Sequence, residues 1–218
     1  MMSTVKPDPT TTHYGILGLL AIKPFTTYEL AKQFDRSLGR LWPRVRSKLY
    51  EGPKRLVELG YARATAGRTG RRRHTTYSIT AKGRRALAAW LSEPGAPPQL
   101  EFEQLIKVLL ADHGTKAAAV ANLEAAQAWA RADIDVHIET GHAYLEGTGQ
   151  FQARVAPLVL VGRFISEFSL LVERWATWAL GVVEEWPDDP GLAEPDRDAL
   201  EATTRELERA AATWRPGQ

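Results

Sequence analysis

Residues Thr65–Ile79 read TAGRTGRRRHTTYSI and place four arginines and a histidine within the seven positions 68–74. Beyond that cluster the chain alternates: Tyr77 and Ile79 fall on one face of an extended segment, His74, Thr76 and Ser78 on the other. A period of two, with glycines at 67 and 70 to permit a turn, predicts a hairpin with strands over 61–66 and 74–79. Its tip is cationic. A cluster of this kind is ordinarily a solvated surface, and its neighbours in the chain decide whether it is more.

Working outward, helices are expected over 12–21 and 28–34, separated by the breaker Lys23-Pro24-Phe25. Thr26 or Thr27 can cap the second, because a side-chain oxygen there accepts from an orphan backbone N–H. A third helix is expected from Pro43 to Leu59, ended by Gly60, and a fourth over 81–91 after the cap residue Thr80. Helix, helix, helix, strand, cationic tip, strand, helix is the order of a winged helix-turn-helix. The hairpin is then its wing, and arginines at a wing tip suit a phosphate backbone or a narrow minor groove.

The third helix carries its own pattern. At 100° per residue Val45, Leu49, Pro53 and Leu56 share a side and face a core. Ser47 and Lys54 lie opposite, flanked by Arg44, Tyr50 and Glu51, with Arg46 and Lys48 nearer the edges. That donor-rich surface fits base and phosphate contacts on double-stranded DNA. The expected contacts are Thr26, Thr27 and Tyr28 at the start of the second helix; Arg44, Arg46, Ser47, Lys48, Tyr50 and Lys54 on the third; and Arg68, Arg71, Arg72, Arg73 and His74 on the wing.

The charge distribution agrees. Residues 1–99 carry 18 Lys+Arg against 6 Asp+Glu, a balance of +12, while residues 100–218 carry 10 against 20, a balance of −10. A basic half joined to an acidic half implies that one part meets a polyanion and the other does not. The boundary is SEPGAPPQL (92–100), with three prolines and a glycine. The expected domains are a disordered arm (1–11), a winged helix-turn-helix (12–91), a linker (92–99) and a helical domain (100–218). Cysteine is absent, so no disulfide framework or thiolate metal site is available. The early apolar run 16–22 is too short for a membrane span, no signal peptide is apparent, and a cytoplasmic protein is expected.

The second half reads as wholly helical. Phe102, Leu105, Ile106, Leu109 and Leu110 form a stripe; Thr115 can cap an alanine-rich helix over 116–145; GTGQ (147–150) breaks it. A further helix over about 153–185 sets Val161, Phe164, Phe168, Leu171, Trp175, Trp178 and Val182 at spacings of three and four. A last amphipathic segment covers 195–214. The aromatic seam suits pairing across a twofold axis, with Phe164, Phe168, Leu171, Trp175 and Trp178 as its contacts. Neither a phosphate loop, a GxSxG elbow nor an HExxH motif occurs, so no enzyme activity, cofactor or metal is expected. Asp135, Glu139 and His142 share a helix face but read as solvent-facing charge.

Ile16-Leu-Gly-Leu-Leu20, Pro24 and Tyr28-Glu-Leu30 resemble the opening of the PadR-type repressors. Leu49-Tyr50, Lys54-Arg-Leu56 and Leu59-Gly60 resemble their third helix, and Tyr77-Ser-Ile-Thr80, Gly83 and Trp90-Leu91 their strand-to-helix exit. Two positions depart: Thr27 stands where the family usually has glycine, and Pro53, after Gly52, where it often has leucine. Proline inside the reading helix would bend it or split it in two. The resemblance implies a mainly α protein with a C-terminal dimerisation domain, a homodimer repressing transcription from an inverted repeat. It also implies a small aromatic effector, for which Trp129, Trp175 and Trp178 could line a slot. Two other readings are a winged adaptor docking an acidic protein and a small-molecule-binding helical domain with a basic appendage.

Overall fold

Apolar residues occupy most of the circumference of the first helix, α1 (Thr11–Ile22), where Ile16, Leu17, Leu19 and Leu20 are all buried. A helix without a polar face has to be enclosed. Its enclosure is built by β1 (Phe25–Thr26), α2 (Thr27–Ser37), α3 (Gly52–Glu58), β2 (Ala62–Thr69), β3 (Arg72–Ile79) and α4 (Ala81–Ser92). Helices α2, α3 and α4 and strand β3 all pack on α1. The computed structural model describes residues 8–39, 41–42, 50–69 and 72–215, and the chain divides into two units, Met1–Pro98 and Gln99–Gln218.

The wing is wider at its base than the two expected strands. Phe25 and Thr26 pair antiparallel with Tyr77 and Thr76, giving a three-stranded sheet in the order β1-β3-β2. The strands also run further into the tip, to Thr69 and from Arg72, in a register that sets Ala62 opposite Ile79 and Arg68 opposite Arg73. Gly67 does not end the strand. It pairs with His74, whose ring occupies the space a side chain at 67 would take.

The third helix differs most from expectation. Residues 43–49 lie outside the described residues; from there Tyr50 and Glu51 form a turn and α3 begins at Gly52. Pro53 therefore sits in the first turn, where its missing N–H has no helical partner to lose, and neither bends nor interrupts α3. Pro53 and Leu56 are buried, as the core face requires. Gly60, at φ 74°, closes the helix with Gly60 N–H donating to Val57 O (2.9 Å) and Tyr61 N–H to Leu56 O (2.8 Å).

The start of α4 locks this corner. Thr80 donates its N–H to Tyr61 O (2.9 Å) and its hydroxyl to Gly60 O (2.7 Å), and Lys82 Nζ donates to Leu59 O (2.9 Å). Three successive carbonyls just past the end of α3 are thus satisfied by one helix start. Gly83 lets the two backbones meet: a Cβ there would stand 2.1 Å from Tyr61 O.

In the second unit α5 (Glu103–Leu109) leads through a 3-10 turn to α6 (Lys116–Leu145), capped by Thr115, which accepts from Ala118 N–H (3.2 Å). Helix α7 (Val155–Glu184) returns antiparallel to it. Ala119, Leu123, Ala126 and Ala130 of α6 and Val172, Ala176, Ala179 and Val183 of α7 form the buried interface, where small side chains permit close packing. Lys116 Nζ ties the far end, donating to Glu184 O (2.7 Å) and Trp186 O (2.8 Å). Helix α8 (Arg197–Ala212) buries none of its residues.

The expected seam of α7 separates into two rows. Phe168, Trp175 and Val182 are half-buried at the edge of the helix pair, whereas Phe164, Leu171 and Trp178 are more than half exposed at 65%, 54% and 54%. The segment Gln152–Glu184 is also long and apolar enough to cross a bilayer by length and composition, unlike the short apolar run at 16–22. Two of its charges, Arg163 and Glu167, pair at 2.8 Å one helical turn apart.

Candidate nucleic-acid interface

Helix α2 starts in a capping box. Thr26 donates both its N–H and its hydroxyl to Glu29 Oε2 (2.8 Å each), and Glu29 N–H donates to Thr26 Oγ (3.3 Å). Of the three residues expected to contact DNA here, Thr26 has its hydroxyl engaged in the cap, Thr27 is half-buried, and Tyr28 projects at 73% exposure. The Thr26 N–H, then its hydroxyl, hold the Glu29 carboxyl below the usual carboxylate range, with the charges of Lys23 and His74 adding to the effect. The box therefore stabilises the fold above the unfolded carboxylate pKa and loses that contribution as pH falls through the lower folded value. Thr26→Ala is expected to cost about 1 kcal/mol near neutral pH, read by urea unfolding, with a smaller difference in acid.

In the turn before α3 Tyr50 is 60% exposed, and on the helix Lys54 is exposed but paired with Glu51 at 3.1 Å, an ion pair that a phosphate can displace. Arg44, Arg46, Ser47 and Lys48 lie outside the described residues. Arg71 does too, while Arg72 holds the register position opposite Thr69. Arg68 and Arg73 are exposed and directly opposed across the hairpin. Like charges facing each other on neighbouring strands repel, and an anion between them relieves the repulsion. His74 is held over Gly67 behind them. The sequence reading left out Arg63, exposed on β2 of the same wing, although the alternation of that strand would have placed it.

Of the tryptophans in the C-terminal unit, the three expected to line a slot have separate surroundings. Trp129 meets Phe168 edge-on (6.2 Å between ring centroids), and Trp175 meets Phe102 (5.7 Å). Trp178 lies instead on a cleft at the end of α7. The sequence reading also passed over a polar group inside the helix pair. Asp133 is buried, accepts from the Ser169 hydroxyl (2.6 Å) and stands 3.2 Å from His137 Nε2. Asp133 and His137 are four apart on α6, and that spacing was the available signal. Ser169→Ala is expected to cost about 2 kcal/mol in thermal or urea unfolding, since it removes a short hydrogen bond to a buried acidic side chain. Asp135, Glu139 and His142 are all exposed, and no group of three metal-ligating side chains gathers among the described residues.

Three helices, a corner clamped from α4 and a sheet extended into a cationic hairpin define a winged helix-turn-helix followed by a long antiparallel helix pair. Residues 16–89 match the transcriptional regulator PadR-like family. A probable transcriptional regulator of Mycobacterium tuberculosis (strain ATCC 25618 / H37Rv), Rv1176c, is 34% identical over 85 residues. That alignment covers 38% of this chain and 45% of the relative, so the chain spans under half the length of that protein. The crystal structure of Bacillus subtilis PadR in complex with operator DNA superposes with a TM-score of 0.68 at 19% identity, covering 80% of this chain and 99% of that one. The structure of Bacillus subtilis PadR in complex with p-coumaric acid gives 0.61 at 20%, covering 83% and 99%. These likenesses show a common fold extending beyond the winged domain.

Proposed function

We infer that the protein is a homodimeric, intracellular repressor of transcription that binds an inverted-repeat operator and responds to a small aromatic ligand. The observation that carries the reading is the wing: Arg68 and Arg73 face each other at the tip of a hairpin whose base is paired to the start of α2. A helix pair reads base edges while such a hairpin holds the backbone, and the PadR relative solved with operator DNA supports the assignment to a duplex. Pairing of two copies is supported by the exposed row Phe164, Leu171 and Trp178, with Phe168 and Trp175 alongside, an apolar surface that a lone chain leaves in water. The ligand response is supported by the relative solved with p-coumaric acid. A ligand preferring one arrangement of the C-terminal helices would change the separation of the two wings and so the affinity for paired half-sites.

Fluorescence anisotropy on the region upstream of the protein's own gene, with random duplex as competitor, tests the DNA reading. The upstream fragment should win by about a hundredfold or more. Equal competition by random duplex would leave only non-specific charge attraction, and a single-chain mass in sedimentation would remove the dimer.

A further inference from the structure

Among the described residues, Asp133 of α6 and Ser169 of α7 are the buried polar side chains of the second unit. They lie one turn beyond the cluster of Ala126, Ala130, Val172 and Ala176, in a seam that is otherwise apolar. The Ser169 hydroxyl donates to Asp133 Oδ2 (2.6 Å), and His137, with 18% of its side chain exposed, brings Nε2 to 3.2 Å from the same oxygen. Three groups on two helices converge on one buried oxygen.

An acid and an imidazole in such contact titrate as a unit. With one proton between them the site carries no net charge, whichever partner holds it. If His137 holds it, the two form an ion pair and Ser169 donates to Asp133. If Asp133 holds it, Ser169 Oγ accepts and its own hydrogen turns to Ile165 O (3.2 Å). Loss of that proton leaves a negative charge in an apolar seam, a costly state. Neighbouring charges do not offset it. Between Arg163 and Glu173 the only ionisable residue of α7 is Glu167, which pairs with Arg163 (2.8 Å), while Glu173 pairs with Arg131 (3.1 Å). On α6 Asp135, Glu139 and His142 are exposed, and α5 carries Glu103 and Lys107, paired with each other (2.9 Å).

The geometry points to a proton-operated latch between α6 and α7, formed by Asp133, His137 and Ser169. It is closed with one proton on the acid–imidazole pair and loosened without it. The folded site holds that proton more firmly than the separated groups do, since only the folded site buries the charge left behind. In the unfolded chain an imidazole releases its proton at about pH 6.5. The latch therefore contributes its full stability below about that pH and loses it as pH rises through the higher folded value. Because α7 also carries the exposed row assigned to pairing of two copies, alkaline loosening weakens operator binding as well. That consequence rests on the dimeric repressor reading above; the latch itself is independent of it.

The test uses the full chain without DNA. Amide hydrogen exchange, corrected for the intrinsic rate, follows opening of the segments around Asp133 and Ser169 at about pH 6 and about pH 8.5. The parent should open about tenfold more readily, or more, at the higher pH. Asp133→Asn keeps an acceptor for Ser169 and carries no charge, so its opening should be the same at both. His137→Gln should lose the pH response too, while His142→Gln, on the exposed side of the same helix, should behave as the parent. Circular dichroism melts establish that each variant is folded, and if Asp133→Asn is not, His137→Gln decides. A parent whose opening ignores pH, or variants at 133 and 137 that keep the parent's response, would overturn the latch. Sedimentation, and anisotropy on the upstream fragment, at the same two pH values separate the readings: exchange that responds to pH with pairing and DNA affinity unchanged supports the latch and removes its control of DNA binding.

Discussion

Gly83→Ala is expected to destabilise the N-terminal unit by about 3 kcal/mol or more and to abolish DNA binding with it. The added Cβ would stand 2.1 Å from Tyr61 O, and that oxygen cannot retreat cheaply, because it already accepts from Thr80 N–H (2.9 Å) and the Thr80 hydroxyl (3.1 Å). Relief requires moving the start of α4 off the α3–β2 corner, which releases the bonds to Gly60 O and Leu59 O as well. The same replacement at Gly18, in α1, provides the contrast. Nothing lies within 4 Å of a Cβ there, so alanine should stabilise by about 0.5–1 kcal/mol through helix propensity alone. Urea midpoints of the two variants should therefore move in opposite directions. A Gly83→Ala protein that melts with the parent would mean that the corner is not closed as described.

The second large effect concerns the wing. Arg68→Ala with Arg73→Ala should lower affinity for the upstream fragment and for random duplex alike, by about tenfold to a thousandfold at low salt. The slope of log K against log salt should flatten by about 0.9 for each phosphate that is no longer neutralised. Folding should be unharmed, since removing two opposed charges relieves repulsion across the hairpin. A weakened affinity with an unchanged slope would place these arginines away from phosphate. Lys54→Ala offers the complementary reading: its removal should alter preference among sequences more than overall affinity.

Much of this architecture is legible in the amino-acid order. The alanine-rich helix runs over 116–145 as read, because a threonine cap and a glycine-bounded stop punctuate a continuous run of helix formers. The α4 boundary is equally plain, set by Thr80. Strand β1 was illegible for a physical reason: two residues after a proline have no room for alternation, and their pairing with Tyr77 and Thr76 is a tertiary event. The strand ends were misplaced because Gly67, read as part of the turn, is held in the ladder by His74. On α7, spacings of three and four identify an apolar surface but not its width. Ser169, Val172, Ala176, Ala179 and Val183 repeat at the same spacings of three and four as the seam that holds Phe164, Leu171 and Trp178, and only packing against α6 distinguishes the row it covers from the row left open. As for the candidate site, the sequence supplied the cationic tip but not the register that sets Arg68 opposite Arg73, because the extra rungs at Gly67 and beyond are made by pairing and not by alternation.

Thr26 holds two offices at once, the last rung of the sheet beside Thr76 and the first cap of α2. No hinge separates the hairpin from the helix that follows its edge strand. Bending the one must tilt the other, so a duplex would meet the two as a single stiff claw. Adjusting the grip is then a matter of swinging that whole claw rather than flexing its finger.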